Sequence, residues 1–208
     1  MKTDALLIFI RTPELGKVKT RLAKTIGKEK ALAVYNDLLL HTMIETRNIK
    51  CDKFVFYDAA INDNDIWSTE CYKKKTQSDG DLGQRMYDAF ETLFKMGYKN
   101  CIIVGSDLFD LKASIIEVAF ENLKTHDVAI GPAEDGGYYL LGLKRNNSLI
   151  FQNKNWGTET VFKATMKDLE DSQVSLLKTL NDIDTFEDLE RSTYNRAELD
   201  RNFEVKKD

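Results

Sequence analysis

The chain of 208 residues is poor in histidine, cysteine and proline, with two, three and two of each. Its cysteines, Cys51, Cys71 and Cys101, are odd in number and widely spaced, which excludes a disulfide framework and a paired-cysteine zinc site. They predict reduced thiols in a cytoplasmic protein. His41 and His126 lie near no serine or cysteine motif. A hydrolase with a serine or cysteine nucleophile is therefore not expected.

Long apolar runs and a basic surplus are also missing. The apolar run at the N-terminus, Ala5 to Ile10, is far shorter than the roughly 20 residues of a membrane helix, so neither a signal peptide nor a membrane span is expected. The formal net charge is -4 and the pI is about 5.4. Nucleic-acid-binding proteins usually carry excess positive charge. We therefore expect neither membrane nor nucleic acid as a partner.

Short apolar segments alternate with segments of helical periodicity. The strands that we expect are 5–10, 53–57, 101–104, 126–130, 138–143 and 174–177. The expected helices are 28–49, 82–96, 113–123, 158–169 and 185–192. Such alternation predicts an α/β fold, a mostly parallel sheet with helices on both faces. We expect one domain over residues 1–194 and a charged C-terminal tail over 195–208.

A cluster of cations follows the first expected strand. Arg11, Lys17, Lys19 and Arg21 lie in a loop that contains a proline and a glycine. In open α/β sheets, ligands bind beyond the carboxyl ends of the strands, and arginine matches the geometry of phosphate. The loop has neither the glycine nor the Ser/Thr of a Walker motif, so phosphate contacts would come mainly from side chains. The alternative is a solvated basic turn.

Aspartates follow the expected strand 101–104 and precede the last expected helix. Asp107, preceded by Ser106, comes directly after the strand 101–104, where a carboxylate can hold a divalent cation. Asp182 and Asp184 flank Ile183 before the last helix, and this alternation puts both acids on one side of an extended segment. For Asp107 the alternative role is a turn or helix cap. For Asp184 the alternative role is a cap of the last helix.

Two segments carry glycines that suggest close backbone contact with a ligand. Gly136 and Gly137 join the strands before and after them, although Asp-Gly is also a strong signal for a simple hairpin turn. Gly80 and Gly83 lie at a loop-to-helix junction after Gln77, where backbone amides can face an anion or a base. The second pair alone is a weak signal.

These motifs occur together in a characteristic order: FIRTPELGKVKTRL, QSDGDLGQRM, VGSD, GPAEDGGYYLLGL, Trp156-Gly157-Thr158 and DIDT. Over about residues 4–190 the chain resembles the DUF2064 family, which is related to nucleotide-diphospho-sugar transferases and includes radical-SAM-associated and arsenosugar-biosynthesis glycosyltransferases. It is more distantly similar to 2-phospho-lactate and molybdenum-cofactor guanylyltransferases. The resemblance implies the glycosyltransferase-A fold, a Rossmann-like sheet with one antiparallel strand.

The resemblance also implies roles for individual residues. The metal-binding aspartate corresponds to Asp107 and the second carboxylate to Asp184. The basic loop of the family corresponds to Arg11, Lys17, Lys19 and Arg21. The segment along the acceptor side corresponds to Asp135, Gly136, Gly137 and Tyr138. The family usually has a proline two residues after the metal-binding aspartate, and Phe109 in its place predicts a less constrained loop.

We therefore expect a transferase that depends on Mg²⁺ or Mn²⁺ and takes a nucleotide-activated donor, with an unknown small-molecule acceptor. Asp135 and Lys19 are the expected catalytic residues. The other substrate-binding residues are Gln77, Gly80, Gly83, Ser106, Gly136, Gly137 and Tyr138. The first reading is a glycosyltransferase, and the alternatives are a nucleotidyltransferase that releases pyrophosphate and a non-catalytic nucleotide-binding module. Base, sugar, acceptor and oligomeric state are not specified by these residues.

Overall fold

Seven strands form one mixed sheet in the computed structural model, which describes residues 3–194. The strands are β1 (Asp4–Ile10), β2 (Asp52–Tyr57), β3 (Tyr72–Thr76), β4 (Asn100–Val104), β5 (Val128–Pro132), β6 (Tyr138–Leu143) and β7 (Val174–Leu176). Their order is β3-β2-β1-β4-β6-β5-β7. Only β6 runs antiparallel to its neighbours, β4 and β5, within the described chain. The predicted fold class is confirmed, and the predicted tail 195–208 lies outside the described residues.

The described residues contain six α-helices. They are α1 (Thr20–Ile26), α2 (Lys28–Thr46), α3 (Leu82–Lys95), α4 (Ala113–Asn122), α5 (Val161–Asp168) and α6 (Phe186–Arg191), and a short 3₁₀ helix covers Ser148–Phe151. No helix in this part of the chain is long and apolar enough to cross a membrane. The three cysteines form no disulfide.

Three elements were not expected from the sequence pattern: α1, β3 and the 3₁₀ helix. The strand β3 reads YKKKT and lies at the edge of the sheet, where lysines are common because they discourage pairing with another chain. Because three consecutive residues are lysine, the strand lacks the alternation of apolar and polar residues that identifies a strand in a sequence. Helix α1 spans only seven residues and has no side-chain cap at its start. Three of the expected elements begin later than the pattern suggested, at Val128, Val161 and Phe186.

Side chains of β1 alternate between the two faces of the sheet. Leu6 and Ile8 belong to one apolar cluster, which α2 and α4 cover. Ala5 and Leu7 belong to a second cluster, which α3 covers on the opposite face. Because a strand buried on both faces cannot turn any residue to solvent, β1 reads as a continuous apolar run.

The strand order places a crevice between β1 and β4. From β1 the chain proceeds to β2 and β3 on one side, whereas β4 lies parallel to β1 on the other side. The connections therefore diverge at the carboxyl ends of these two strands. Such a switch point is where open α/β sheets bind ligands. Arg11 follows β1 and Gly105 follows β4 at this position.

Candidate functional site

A cleft of about 770 Å³ opens at this edge of the sheet. The residues after β1 and β4, the start of α3, the turn before β6 and the segment before α6 line it. Its volume lies in the range of small-ligand sites, roughly 300–1,000 Å³. The cleft is the place where the separate sequence motifs come together.

Three carboxylates meet on one wall of the cleft. Asp107, Asp182 and Asp184 each offer an oxygen, and these oxygens lie within 4.8 Å of one another. The two segments are joined because the Ile183 amide donates to the Asp107 carbonyl over 3.0 Å. The Ile183 side chain is fully buried between its acidic neighbours, so both flanking carboxylates turn to the same side. We call these three residues the acidic cluster.

The segment that carries Asp182 and Asp184 is held by the start of α6. Thr185 caps this helix in a capping box with Asp188. The Asp188 carboxylate also accepts a hydrogen bond from the Asp184 amide over 3.2 Å. Thr185, and not Asp184, therefore caps α6, which leaves the Asp184 carboxylate to the acidic cluster.

Burial and neighbouring charges change the pKa values of two carboxyl groups in the cluster. Burial, together with the charges of Asp107, Asp135 and Asp184, raises the pKa of Asp182 to about 7. Burial opposes the charge of Asp184 as well, but Lys19 and Arg21 outweigh it and lower the pKa of that carboxyl. Perturbed carboxyl groups in a cleft are typical of functional sites. The cluster is an environment that favours a further cation.

Two of the predicted basic residues reach the acidic cluster. The Lys19 ammonium lies 2.8 Å from Asp184 Oδ1 and 3.4 Å from Asp107 Oδ2, and its side chain is only 6% exposed. The Arg21 guanidinium contacts Asp184 Oδ2 at 2.8 Å and remains 60% exposed. Burial disfavours the charge of Lys19, but Asp107 and Asp184 outweigh it and raise the pKa of that ammonium.

The other two predicted cations differ in position. Arg11 lines the cleft, and its backbone is held by Tyr35, whose hydroxyl accepts from the Arg11 amide over 2.8 Å. The same hydroxyl lies 3.4 Å from Ser106 Oγ, so Tyr35 links the loops after β1 and β4. Lys17 pairs with Glu14, is 73% exposed and is not among the residues that line the cleft.

Asp135 and Gly137 lie in the turn before β6, which also lines the cleft, and the charge of Asp135 reaches Asp182. Asp135 Oδ1 accepts a hydrogen bond from the Gly137 amide over 2.8 Å, so the carboxylate fixes its own turn. Gly136 has a φ of 86°, and a Cβ there would lie 2.3 Å from the Glu159 carbonyl oxygen. Gly136 is thus required by packing, whereas Asp135 and Gly137 line the cleft.

Tyr138 and Trp156 line the same part of the cleft. The Tyr138 hydroxyl and the Trp156 indole nitrogen are buried without a hydrogen-bond partner among the described residues. Burial raises the pKa of the Tyr138 hydroxyl. Buried polar groups are rarely left unpaired. Both residues were part of the sequence motifs, but only Tyr138 was assigned to the substrate.

The segment after β3 contributes structure as well as surface. The Gln77 amide group donates to the carbonyls of Ile10 and Phe56 over 3.1 and 3.0 Å, which ties the ends of β1 and β2 together. Asp81 caps α3 by accepting from the Gln84 amide over 2.8 Å. Because a carboxylate already occupies the start of α3, this junction is a poor place for an anion. The other ligand considered for this junction, a nucleobase, remains a prediction.

Gly80 and Gly83 at this junction have different environments. Gly80 lines the cleft, and its carbonyl accepts from Arg85 Nε over 2.9 Å. A Cβ on Gly83 would lie 2.2 Å from the Phe151 carbonyl oxygen and 2.6 Å from the Trp156 ring. Gly83 thus allows α3 to pack closely against the segment that carries the 3₁₀ helix.

This contact predicts that Gly83→Ala destabilises the protein although alanine favours helices by up to about 1 kcal/mol over glycine. The clash involves backbone, and we expect a net loss of about 2 kcal/mol in the free energy of unfolding. Chemical denaturation measures it. Gln84→Ala at the next, exposed position is the control and should change stability by less than about 0.5 kcal/mol. A more stable Gly83→Ala protein would exclude the packing role.

Phe109 stabilises the loop that carries Asp107. Its ring packs against His41 with 4.6 Å between centroids and meets Tyr194 edge-on at 5.1 Å. The His41 imidazole also lies 2.7 Å from the Leu111 carbonyl oxygen. These contacts constrain the loop by packing, so the less constrained loop that we expected from Phe109 is not what the structure shows.

Besides Trp156, residues that line the cleft and were missing from the expected set include Asp182, Arg85 and Tyr35. Asp182 was noted in the acid-isoleucine-acid pattern, and that alternation is the signal that identifies it. Arg85 adds a cation to the cleft, and its position in QSDGDLGQRM gave no sign of this. Tyr35 lies on α2 and reads as an ordinary apolar-face residue, so its link between two loops has no local signal.

Comparison with known proteins places this architecture among nucleotide-diphospho-sugar transferases. A protein of Desulfovibrio desulfuricans G20, provisionally described as a nucleotide-diphospho-sugar transferase, is 30% identical, with a TM-score of 0.85 over 99% of this chain and 96% of its own. The predicted class, a transferase with this fold, is confirmed. The DUF2064 family, described as uncharacterized proteins conserved in bacteria, matches residues 43–158, and the chain belongs to it.

More distant structures share the fold alone. CMP:2-keto-3-deoxy-manno-octonic acid synthetase complexed with CTP is 12% identical, with a TM-score of 0.59 over 97% of this chain and 100% of its own. Rv0371C of Mycobacterium tuberculosis H37Rv in complex with manganese is 13% identical, with a TM-score of 0.54 over 91% and 97%. The comparison with curated proteins gives no match.

Proposed function

We propose that this protein is a metal-dependent transferase that takes a nucleotide-activated donor, most simply a nucleotide sugar. The observation that carries the proposal is the acidic cluster facing Arg11, Lys19 and Arg21 in one cleft at the switch point of the sheet. Carboxylates there suit a divalent cation, and the cations suit phosphate. The distant relatives named with CTP and with manganese are consistent with both parts.

The acidic cluster fits Mg²⁺ or Mn²⁺ by its chemistry. It offers three oxygen ligands within 4.8 Å, and these hard cations prefer carboxylate oxygen. Burial and repulsion from neighbouring carboxylates together raise the pKa of Asp182, and added positive charge relieves the repulsion. Asp107 and Asp184 would hold the ion, with Asp182 beside them. A bound ion would offset the negative charge that develops on the leaving phosphate.

The basic residues of the site would bind the phosphates of the donor. The Arg21 side chain is 60% exposed and lines the cleft, and Arg11 lines it at the end of β1. Charge-assisted hydrogen bonds from such groups hold a diphosphate and stabilise it as a leaving group. Ser106 lines the same wall, while Gly80 and Gln77 border the space for the base.

The acceptor would bind on the side of Asp135. Its carboxylate is anchored by one oxygen to the Gly137 amide, which orients the second oxygen without neutralising the charge. A general base must come within hydrogen-bond reach of the proton that it removes. Gly137 and Tyr138 border the same space and complete the proposed acceptor side.

A nucleotidyltransferase is the second candidate. The specific observation in its favour is the density of cations around the acidic cluster: Arg11, Lys19 and Arg21, with Arg85 on the same cleft. That density suits a triphosphate. The two reactions break different bonds: sugar transfer releases a nucleoside diphosphate, and nucleotidyl transfer releases pyrophosphate.

A product assay distinguishes these reactions. The protein is incubated with Mg²⁺, a panel of candidate acceptors and either nucleotide sugars or nucleoside triphosphates, and both products are measured. We expect nucleoside diphosphate from a nucleotide sugar. Pyrophosphate from a triphosphate would establish the second candidate instead, and binding without either product would favour the non-catalytic module.

Arg21→Ala tests the phosphate role of the basic residues. Loss of a charge-assisted contact should weaken binding of a nucleoside di- or triphosphate by about 1.5–3 kcal/mol and leave binding of the bare nucleoside nearly unchanged. Isothermal titration of each ligand measures this difference. Lys24→Ala, an exposed lysine of the same helix, is the control for loss of charge. An equal loss for nucleoside and triphosphate would assign Arg21 a structural role.

A further inference from the structure

The Lys19 ammonium occupies the space between two members of the acidic cluster. It lies 2.8 Å from an Asp184 oxygen and 3.4 Å from an Asp107 oxygen. These are the two carboxylates that the proposed function assigns to the metal. A magnesium ion needs oxygen ligands at about 2.0–2.1 Å, so ion and ammonium would compete for the same oxygens.

The backbone of Lys19 is unusual and fixed. Its φ and ψ are 46° and 44°, a left-handed conformation that residues other than glycine seldom adopt. The Lys19 carbonyl accepts from the Ala23 amide over 2.8 Å, which anchors the residue to the first turn of α1. Because the backbone is anchored, the four-carbon side chain is the part that can move. The side chain is only 6% exposed, and its ammonium bonds to the Asp107 and Asp184 carboxylates.

We propose that Lys19 is an internal counter-ion that competes with the divalent cation for Asp107 and Asp184. The proposal rests on the proposed metal role of these carboxylates. In the free protein, Lys19 neutralises part of the acidic cluster and lowers its affinity for metal. The phosphates of the donor offer the ammonium other acceptors in the same cleft, so donor binding releases the carboxylates. Metal therefore binds well only together with donor.

The arrangement has a chemical advantage. In the free protein the closely spaced carboxylates of the acidic cluster need a buried counter-charge, and Lys19 supplies it. A lysine that first neutralises the carboxylates and then the phosphates keeps charge balanced at both stages. Arg21 does not have the same role, because it contacts only Asp184 and stays exposed at 60%.

The test is direct titration with Mn²⁺ in the absence of nucleotide, with free Mn²⁺ measured by electron paramagnetic resonance. The substitutions Lys19→Met and Lys19→Gln remove the charge and should tighten Mn²⁺ binding at least tenfold, within the 5–150-fold range that is usual for coupled sites. Lys19→Arg keeps the charge and should bind Mn²⁺ as the wild type does. Lys24→Met, on the exposed side of α1, controls for loss of net charge. Melting temperatures confirm that each variant is folded.

The outcomes separate this inference from the proposed function. If Mn²⁺ binds the wild type and the two uncharged variants equally, or binds those variants more weakly, Lys19 does not compete and the inference is wrong. If no Mn²⁺ binds to any of the proteins, with or without nucleotide, the metal site itself is wrong. If all the lysine variants, including Lys24→Met, gain affinity alike, the effect comes from net charge and the inference is again wrong.

Discussion

Asp107→Asn is expected to abolish metal-dependent nucleotide binding while the protein remains folded. The carboxylate faces the cleft and contacts Lys19, whereas the structural contact of this residue is its backbone carbonyl, which accepts from Ile183. Asparagine keeps that carbonyl and the shape of the side chain. It removes the negative charge that a hard cation requires. We therefore expect more than about a hundredfold loss of nucleotide affinity in Mg²⁺, or about 2.7 kcal/mol.

Isothermal titration of nucleotide with and without Mg²⁺ measures this loss. Asp110→Asn is a matched control, because it lies on the same loop but outside the cleft and bonds to Thr193. Its nucleotide affinity should equal that of the wild type. Wild-type affinity of Asp107→Asn in Mg²⁺ would remove Asp107 from the set of ligands.

Asp135→Asn should lower turnover sharply with little change in donor affinity. The asparagine oxygen can still accept from the Gly137 amide, so the turn should persist. What is lost is the ability to remove a proton, a contribution typically of about 10²–10⁴ in rate. A loss confined to kcat is the signature of an interaction made mainly in the transition state.

Steady-state kinetics with varied donor and acceptor separate the two parameters. Glu134→Gln is the control, since Glu134 is the neighbouring acid, pairs with Arg191 over 3.5 Å and is not among the residues that line the cleft. Unchanged turnover in Asp135→Asn would exclude Asp135 as the base. A parallel loss of donor affinity would show that it instead shapes the donor site.

The sequence pattern predicts the fold class and the central strands, but not the strand β3 at the edge of the sheet. β1, β4 and β6 are buried apolar segments, and their alternation with helical segments predicts an α/β sheet. β3 was not predicted because three of its five residues are lysine and only one of its residues is buried. Edge strands need not carry an apolar pattern, so a local pattern cannot identify them.

The acidic cluster was accessible to sequence reasoning because strand ends converge. Asp107 follows β4, and the Asp182–Asp184 segment reaches it through one backbone bond from Ile183. The sequence does not predict which side chains of the basic loop reach the acidic cluster. Lys17 and Lys19 are two residues apart, yet one pairs with Glu14 at the surface and the other is buried against the acids. The backbone at Lys19 is left-handed, and lysine in a sequence gives no signal for that conformation.

Glycines show the same limit. Gly83 and Gly136 were assigned to ligand contact, but in each case an added Cβ would meet backbone from elsewhere in the chain. Such contacts depend on Phe151 and Glu159, which are distant in sequence. A glycine required by packing and a glycine required by a ligand look identical in a single sequence. Their substrate-binding role stays a prediction.

The most direct test of the central claim is the melting temperature of the wild-type protein with nucleotides, nucleotide sugars and nucleoside triphosphates, each with and without Mg²⁺. A ligand at one hundred times its dissociation constant stabilises a protein by about 2.7 kcal/mol. We expect at least one phosphorylated nucleotide to raise the melting temperature in Mg²⁺, with little effect when the metal is chelated. A panel in which no nucleotide stabilises the protein, or in which stabilisation is the same without metal, would contradict a metal-dependent nucleotide site in this cleft.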